Sequence, residues 1–178
     1  MFDDFIKIVF GAIKLDKNIY KDPKTFGEYS LYFAGLIMVM EGIAGAIALS
    51  TLYKTNIILS GATSLISWVV WAVLIYVIGV KLFPDPGTNS NFKKILTIVG
   101  FAHAPGLFRF FVFMPGFVIP VVFFTQFWIF ASLIIGVREA LNFKSNFKSA
   151  GVIIIAFLII TIVSLSFVMD KINSMSMS

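Results

Sequence analysis

Residues 57–83 read IILSGATSLISWVVWAVLIYVIGVKLF, and Lys81 is the single charged side chain in them. An α-helix rises ~1.5 Å per residue, so about 20 apolar residues cross ~30 Å of hydrocarbon. This segment is long enough to do so. Four more apolar stretches lie on either side of it, at residues 29–50, 95–113, 117–137 and 151–169. Hydrophobic residues make up 59% of the 178 positions, and 21 are Phe. A water-soluble chain of this size could not hide that surface. The pattern predicts an all-α polytopic membrane protein, a five-transmembrane-helix bundle over residues 25–170. An N-terminal cytoplasmic segment (1–24) precedes it and a short disordered tail (171–178) follows.

The connections alternate in positive charge. Eleven of the fourteen Lys and Arg fall on one side, from Lys7, Lys14, Lys17, Lys21 and Lys24 through Lys81, Lys93 and Lys94 to Arg138, Lys144 and Lys148. Lys54, Arg109 and Lys171 fall on the other. Basic residues mark the cytoplasmic face, so the N-terminus is expected there and the C-terminus outside or in a lumen. The net charge of +5 is read as topology and attraction to anionic headgroups, not as nucleic-acid binding. The start, Met1-Phe2-Asp3-Asp4, lacks the basic region of a signal peptide. With no cysteine, the chain offers no disulfide, thiolate or cysteine-bound metal.

Phe2, Phe5, Ile6, Val9 and Ile13 share one face of a helical projection, which predicts an N-terminal interfacial amphipathic helix. Packing against the bundle is the competing reading. Thr25 and Glu28 have capping-box spacing and place the first span's start near Thr25. Asn91 and Ser145-Asn146 sit where they can cap later helices. Pro120 is expected in the first turn of the fourth span. Small residues, among them Gly42, Ala44, Ala46 and Ala48, suit the first span to close packing, in the bundle or in a homodimer.

Function must lie in the polar residues that hydrocarbon should exclude. Glu41 is ~20 Å along the first span from Glu28; His103 and Arg109 are ~15 and ~24 Å from Lys93 along the third. Gln126 is near the middle of the fourth. An ionisable residue at such depth faces inward and finds a counterpart, so a Glu41–Arg109 or Glu41–His103 contact is expected. The bland alternatives stand beside it. Arg109 could snorkel to headgroups. His103, near the kink expected at Pro105, could satisfy a loosened carbonyl. Glu41 could simply hold helices together. One His and one Glu make no metal site, and no nucleophile or phosphate-loop motif occurs; neither catalysis nor a cofactor is expected. Lys93, Lys94, Arg138, Glu139, Lys144 and Lys148 are read as the cytoplasmic interface, and Trp68, Trp71 and Trp128 as packing or interface residues.

Phe92-Lys93-Lys94-Ile95-Leu96 followed by Val99-Gly100-Phe101-Ala102-His103-Ala104-Pro105 resembles the Yip (Ypt-interacting protein) domain family. Members typically show a Phe–x–x–Leu-Leu-like opening and then a Gly-Tyr-Ala–x–x-Pro-like run; Phe101 stands here in place of the Tyr. Trp128 and Ile135-Gly136-Val137-Arg138-Glu139-Ala140 look like the family's fourth span and its exit, and the stretch from Pro23 to Glu28 is similar to prokaryotic members. The resemblance implies five spans with a cytoplasmic N-terminus, in a compact prokaryotic-type member. Eukaryotic relatives look like Golgi and endoplasmic-reticulum proteins that engage Rab GTPases through a longer N-terminal region. That region carries an Asp-Leu-Tyr-Gly-Pro-like motif, which this chain does not have.

Two functions follow as expectations. One is a non-enzymatic membrane-organising or trafficking-like scaffold working through lipid, membrane-protein partners or a homodimer. The other is a small transporter or channel using Glu41, His103, Arg109 and Gln126. The place is a cell membrane if the protein is prokaryotic, and Golgi or endoplasmic reticulum if eukaryotic.

Overall fold

The computed structural model describes residues 2–21, 27–50, 52–112 and 114–176. Six α-helices follow in order: α1 (Phe2–Ile13), α2 (Ser30–Leu49), α3 (Ile57–Tyr76), α4 (Phe92–Ala102), α5 (Pro115–Leu141) and α6 (Asn146–Ser176). Short 3-10 segments occupy Lys17–Tyr20 and Ala104–Phe111, and α3 runs on as a π-helical turn, Val77–Leu82. Four of these helices are long and apolar enough to cross a membrane: Ser30–Leu49, Ile57–Leu82, Gly116–Leu141 and Asn146–Phe167.

The expected third span is not one continuous helix. The chain is α-helical to Ala102, and then tightens. The N–H of His103 bonds to Gly100 at 3.2 Å and that of Gly106 to His103 at 2.9 Å, both three residues back. Pro105 causes this change. It has no N–H to give, and its ring collides with the carbonyl four residues earlier. The kink expected at Pro105 is thus a change of helix type. Even so, the broken stretch keeps pace with α2. A Cβ on Gly100 would lie 2.6 Å from that of Ala34; Gly106 abuts Glu41, Gly45 faces Arg109, and Val112 packs with Ala48. Between Ala34 and Ala48 that is ~21 Å of helix rise shared by two parallel segments.

The N-terminal helix also departs from expectation. Ile8 and Ala12 are buried in the main core, Val9 and Ile13 pack against it, and the Phe5 ring lies 5.1 Å from that of Phe33. Ile6 and Phe10 are exposed, while the side chain of Phe2 falls outside the described residues. So α1 docks on the bundle. An apolar helical face fits a protein groove as well as a lipid interface, and here the groove takes it. The chain then turns back through Leu15, at φ 57°, where the N–H groups of Lys14 and Asp16 close the helix on Phe10 and Gly11.

Other starts and stops follow the capping chemistry. Asn56 accepts from Leu59 N (3.0 Å), Asn91 from Lys94 N (2.8 Å) and Ser145 from Phe147 N (3.1 Å). The Pro23 and Thr25 signals lie outside the described residues, and α2 begins at Ser30. Pro115, not Pro120, takes the first helical position of α5, which leaves Pro120 inside the helix. The last helix continues through Ser176, past Met169, where a disordered tail was expected.

α2 lies at the centre of the bundle, against α3, α4, α5 and the 3-10 segment. Its small residues explain why: Ala34, Ala44, Ala46 and Ala48 are buried, and a Cβ on Gly42 would stand 2.7 Å from Ser64 Cβ and 2.8 Å from the Ser60 carbonyl.

Candidate functional site

The tightened segment after Pro105 aims Arg109 inward. The residue is 7% exposed, and its guanidinium reaches side chains of two helices, α2 and α5. Nη1 donates to Glu41 Oε1 of α2 in a direct ion pair. From α5, Thr125 Oγ1 accepts from Nε at 2.9 Å and Gln126 Oε1 from Nη2 at 3.2 Å. Thr125 in turn donates a hydrogen bond from its hydroxyl to the Val121 carbonyl at 2.8 Å. The planar fork of an arginine suits this task, since its donors diverge in fixed directions. Glu41 and Gly106 lie so close that any side chain at 106 would displace the carboxylate.

The hydrogen bond of the His103 ring goes to the main chain, not to Glu41. Its Nδ1 lies 2.7 Å from the Val99 carbonyl. A carbonyl only accepts, so Nδ1 is the donor. The main-chain N–H of His103 has gone to Gly100, and the imidazole takes up the Val99 carbonyl in its place. His103 therefore seals the break that Pro105 creates.

Beside the pair is a cavity of about 270 Å³. Glu41, His103 and Gln126 form one side of it, and Ser60, Thr63, Ser64 and Ser67 of α3 the other, with Trp71, Met38 and Ile129. Ser64 Oγ donates to Gly61 at 2.7 Å and Thr63 Oγ1 to Ser60 at 3.1 Å, so both hydroxyl oxygens keep acceptor capacity. Thr63 and Ser67 are exposed and form its mouth. Among the described residues no group of three His, Asp or Glu could hold a metal ion.

A second concavity, about 600 Å³, opens at the end of the bundle where α4 and α2 begin and α5 finishes. Lys21, Lys93, Lys94, Glu139, Asn91 and Asn142 are among the residues that line it. Glu139 stands 3.3 Å from Lys21 Nζ and 3.9 Å from Arg138 Nη1. Tyr20 lies at its floor, its hydroxyl 2.9 Å from Ser132 Oγ, and burial pushes the phenol's pKa above the usual range. At the same end Lys148 Nζ meets Asp85 Oδ1 at 2.5 Å, and the Lys144 N–H approaches Asp85 Oδ2 at 3.4 Å. These contacts, the Lys148 hydrogen bond first, hold the Asp85 carboxyl below the usual carboxylate range.

The Yip1 domain family model matches residues 17–168. The chain belongs to the Yip1 domain family. No curated protein and no solved structure matches it. The match takes in both concavities, and it begins after α1.

In this Yip1 domain, Arg109 bonds directly to Glu41 and Gln126, and His103 lines the same cavity as Glu41 and Gln126. Of the expected interface residues, Lys93, Lys94 and Glu139 line the lysine cleft. Arg138 lies beside Glu139, while Lys144 and Lys148 secure the connection around Asp85. Trp68 and Trp128 serve packing: their indoles donate to the Leu96 (2.7 Å) and Ile13 (2.9 Å) carbonyls. Thr125 was not foreseen as an Arg109 acceptor, nor Ser60 and Thr63 as cavity walls. A signal for the wall was available. Positions 60, 63, 64 and 67 follow helical spacing and are all hydroxyl-bearing, a polar stripe inside an otherwise apolar span.

Proposed function

We propose that this Yip1-family membrane protein is a non-enzymatic, membrane-organising scaffold. The carrying observation is the closed network at Arg109. It fastens α2, α5 and the broken segment to one another, so the intramembrane charges are spent on each other and lend the bundle one rigid arrangement. Its apolar exterior meets lipid, and its lysine-rich end meets anionic headgroups or membrane-protein partners; a second copy of the chain is a further partner of the same kind. The broken segment makes the fifth crossing, a reading supported by its parallel run beside α2. The charge asymmetry supports a cytoplasmic N-terminus and a C-terminus on the far side. The test is thermal stability in detergent, for wild type and Glu41→Gln, against small cations, anions and lipids. Stabilisation by lipids or by an anion of headgroup type, alike in both proteins, upholds the scaffold.

The polar cavity favours a second reading, passage or binding of a small polar solute between α2, α3 and α5. Here one small ligand stabilises the wild type and loses its effect in Glu41→Gln, and the scaffold reading falls.

A further inference from the structure

The lysine cleft has the dimensions of a ligand site, about 600 Å³ against a usual range of ~300–1,000 Å³. Three lysines line it from two distant parts of the chain: Lys21 after the 3-10 turn, and Lys93 and Lys94 at the start of α4. The amides of Asn91 and Asn142 add neutral hydrogen-bonding groups. Among the described residues that line it the acidic one is Glu139, whose side chain is 12% exposed and paired with Lys21. Among the described lining residues three are lysines and one is a glutamate, and in a concave wall of low dielectric such a set favours positive potential.

We propose that this cleft binds a phosphate-bearing group. Lysine is a point-charge donor well matched to phosphate, and two or three of them around one anion are a common arrangement. Glu139 is an internal competitor. It occupies Lys21 when the cleft is empty and repels an incoming anion, so it sets how strongly charged the ligand must be. The cleft lies at the ends of the spans, where headgroups stand. Its phosphate comes either from a lipid of the adjoining leaflet or from a dissolved phosphate. This gives a place to the headgroup contact proposed above, and it rests on that reading.

The experiment uses the full-length chain in neutral detergent micelles at fixed ionic strength, with melting temperature as the readout. One arm titrates inorganic phosphate against chloride. The other titrates phosphatidylglycerol against phosphatidylcholine. Replacing Lys93 and Lys94 together by Gln should raise the half-saturating concentration about 30-fold, from the usual worth of two basic residues near an anionic surface. Glu139→Gln should lower it. Lys54→Gln, which removes one positive charge from the α2–α3 connection at the opposite end, should leave it unchanged. A response to phosphate and lipid alike identifies the phosphate itself as the ligand; a response to lipid alone identifies the headgroup. If the lysine variant responds to phosphatidylglycerol as the wild type does, the cleft is overturned and the general headgroup reading survives. If the wild type responds to neither probe, both fall. Should the lysine variant fail to fold, Glu139→Gln decides: tighter binding upholds the site, and unchanged binding overturns it.

Discussion

Removing the carboxylate of Glu41 should be the most damaging single polar change in this protein. In Glu41→Gln, Arg109 keeps Thr125 and Gln126 as acceptors, but its 7%-exposed charge loses its counter-ion. Breaking a buried pair in this way costs about 3–5 kcal/mol, because the surviving charge is left uncompensated. For a chain of 178 residues each kcal/mol is worth about 2–4 °C, so Tm should fall by roughly 6–20 °C. Arg109→Met should cost a similar amount, leaving a buried carboxylate. The double variant Glu41→Gln, Arg109→Met should recover much of the loss, because no charge remains to be paired. The assay is a double-mutant cycle on intrinsic tryptophan fluorescence during heating in detergent. If Glu41→Gln melts within 2 °C of wild type, or if the double variant loses the sum of the two singles, the buried-pair argument is wrong.

Three further outcomes follow from the packing. Gly100→Ala places a methyl 2.6 Å from Ala34 Cβ and 2.9 Å from its carbonyl, and should lower stability by about 1–3 kcal/mol in the same melting assay. Gly116→Ala, which meets nothing within 4 Å, should not. Pro105→Ala restores an N–H and permits an α-helical continuation. Over the four residues to Arg109 that turns the side chain back by ~80° relative to the 3-10 path. It should uncouple Glu41 from Arg109, so that Glu41→Gln becomes nearly harmless in the Pro105→Ala background. The Asp85–Lys148 contact should depend on pH. Because the folded carboxyl is held below its ordinary value of 3.8, its stabilisation is complete above that value and fades as pH falls through the lower, folded one. The Tm difference between wild type and Asp85→Asn should therefore be constant above about pH 5 and shrink below about pH 4. A constant difference down to pH 2 refutes the assignment.

The Glu41–Arg109 contact was legible because depth along a helix can be counted residue by residue, and a buried charge restricts its own company. The asymmetry of basic residues likewise put Lys21, Lys93 and Lys94 on one side. Counting by side, however, says nothing of concavity, so the cleft they share had to come from three-dimensional packing. Period-based reading failed where two environments reward one pattern, as at α1, whose apolar face docks on Phe33 and the core. It also failed where one residue changes the period itself. Proline announces a disturbance at 105, but whether the chain kinks, unwinds or tightens depends on what the neighbouring helix offers, here Glu41 and Ala48 of α2. The π-helical turn at Val77–Leu82 has no comparable marker in the sequence.

The parallel register of the broken segment with α2 makes the chain unequally tolerant of changes in length. Contacts at positions 100, 106, 109 and 112 are met in turn by positions 34, 41, 45 and 48. One residue inserted between 100 and 109 would swing everything after it by ~100–120° and point Arg109 away from Glu41. The connection between Phe83 and Asn91 is held at Pro84 and Asp85 by Lys144 and Lys148 but has no helix-long register to keep, and loops of that kind absorb insertions readily. Homologues should therefore differ in length there and keep a fixed count from Gly100 to Val112.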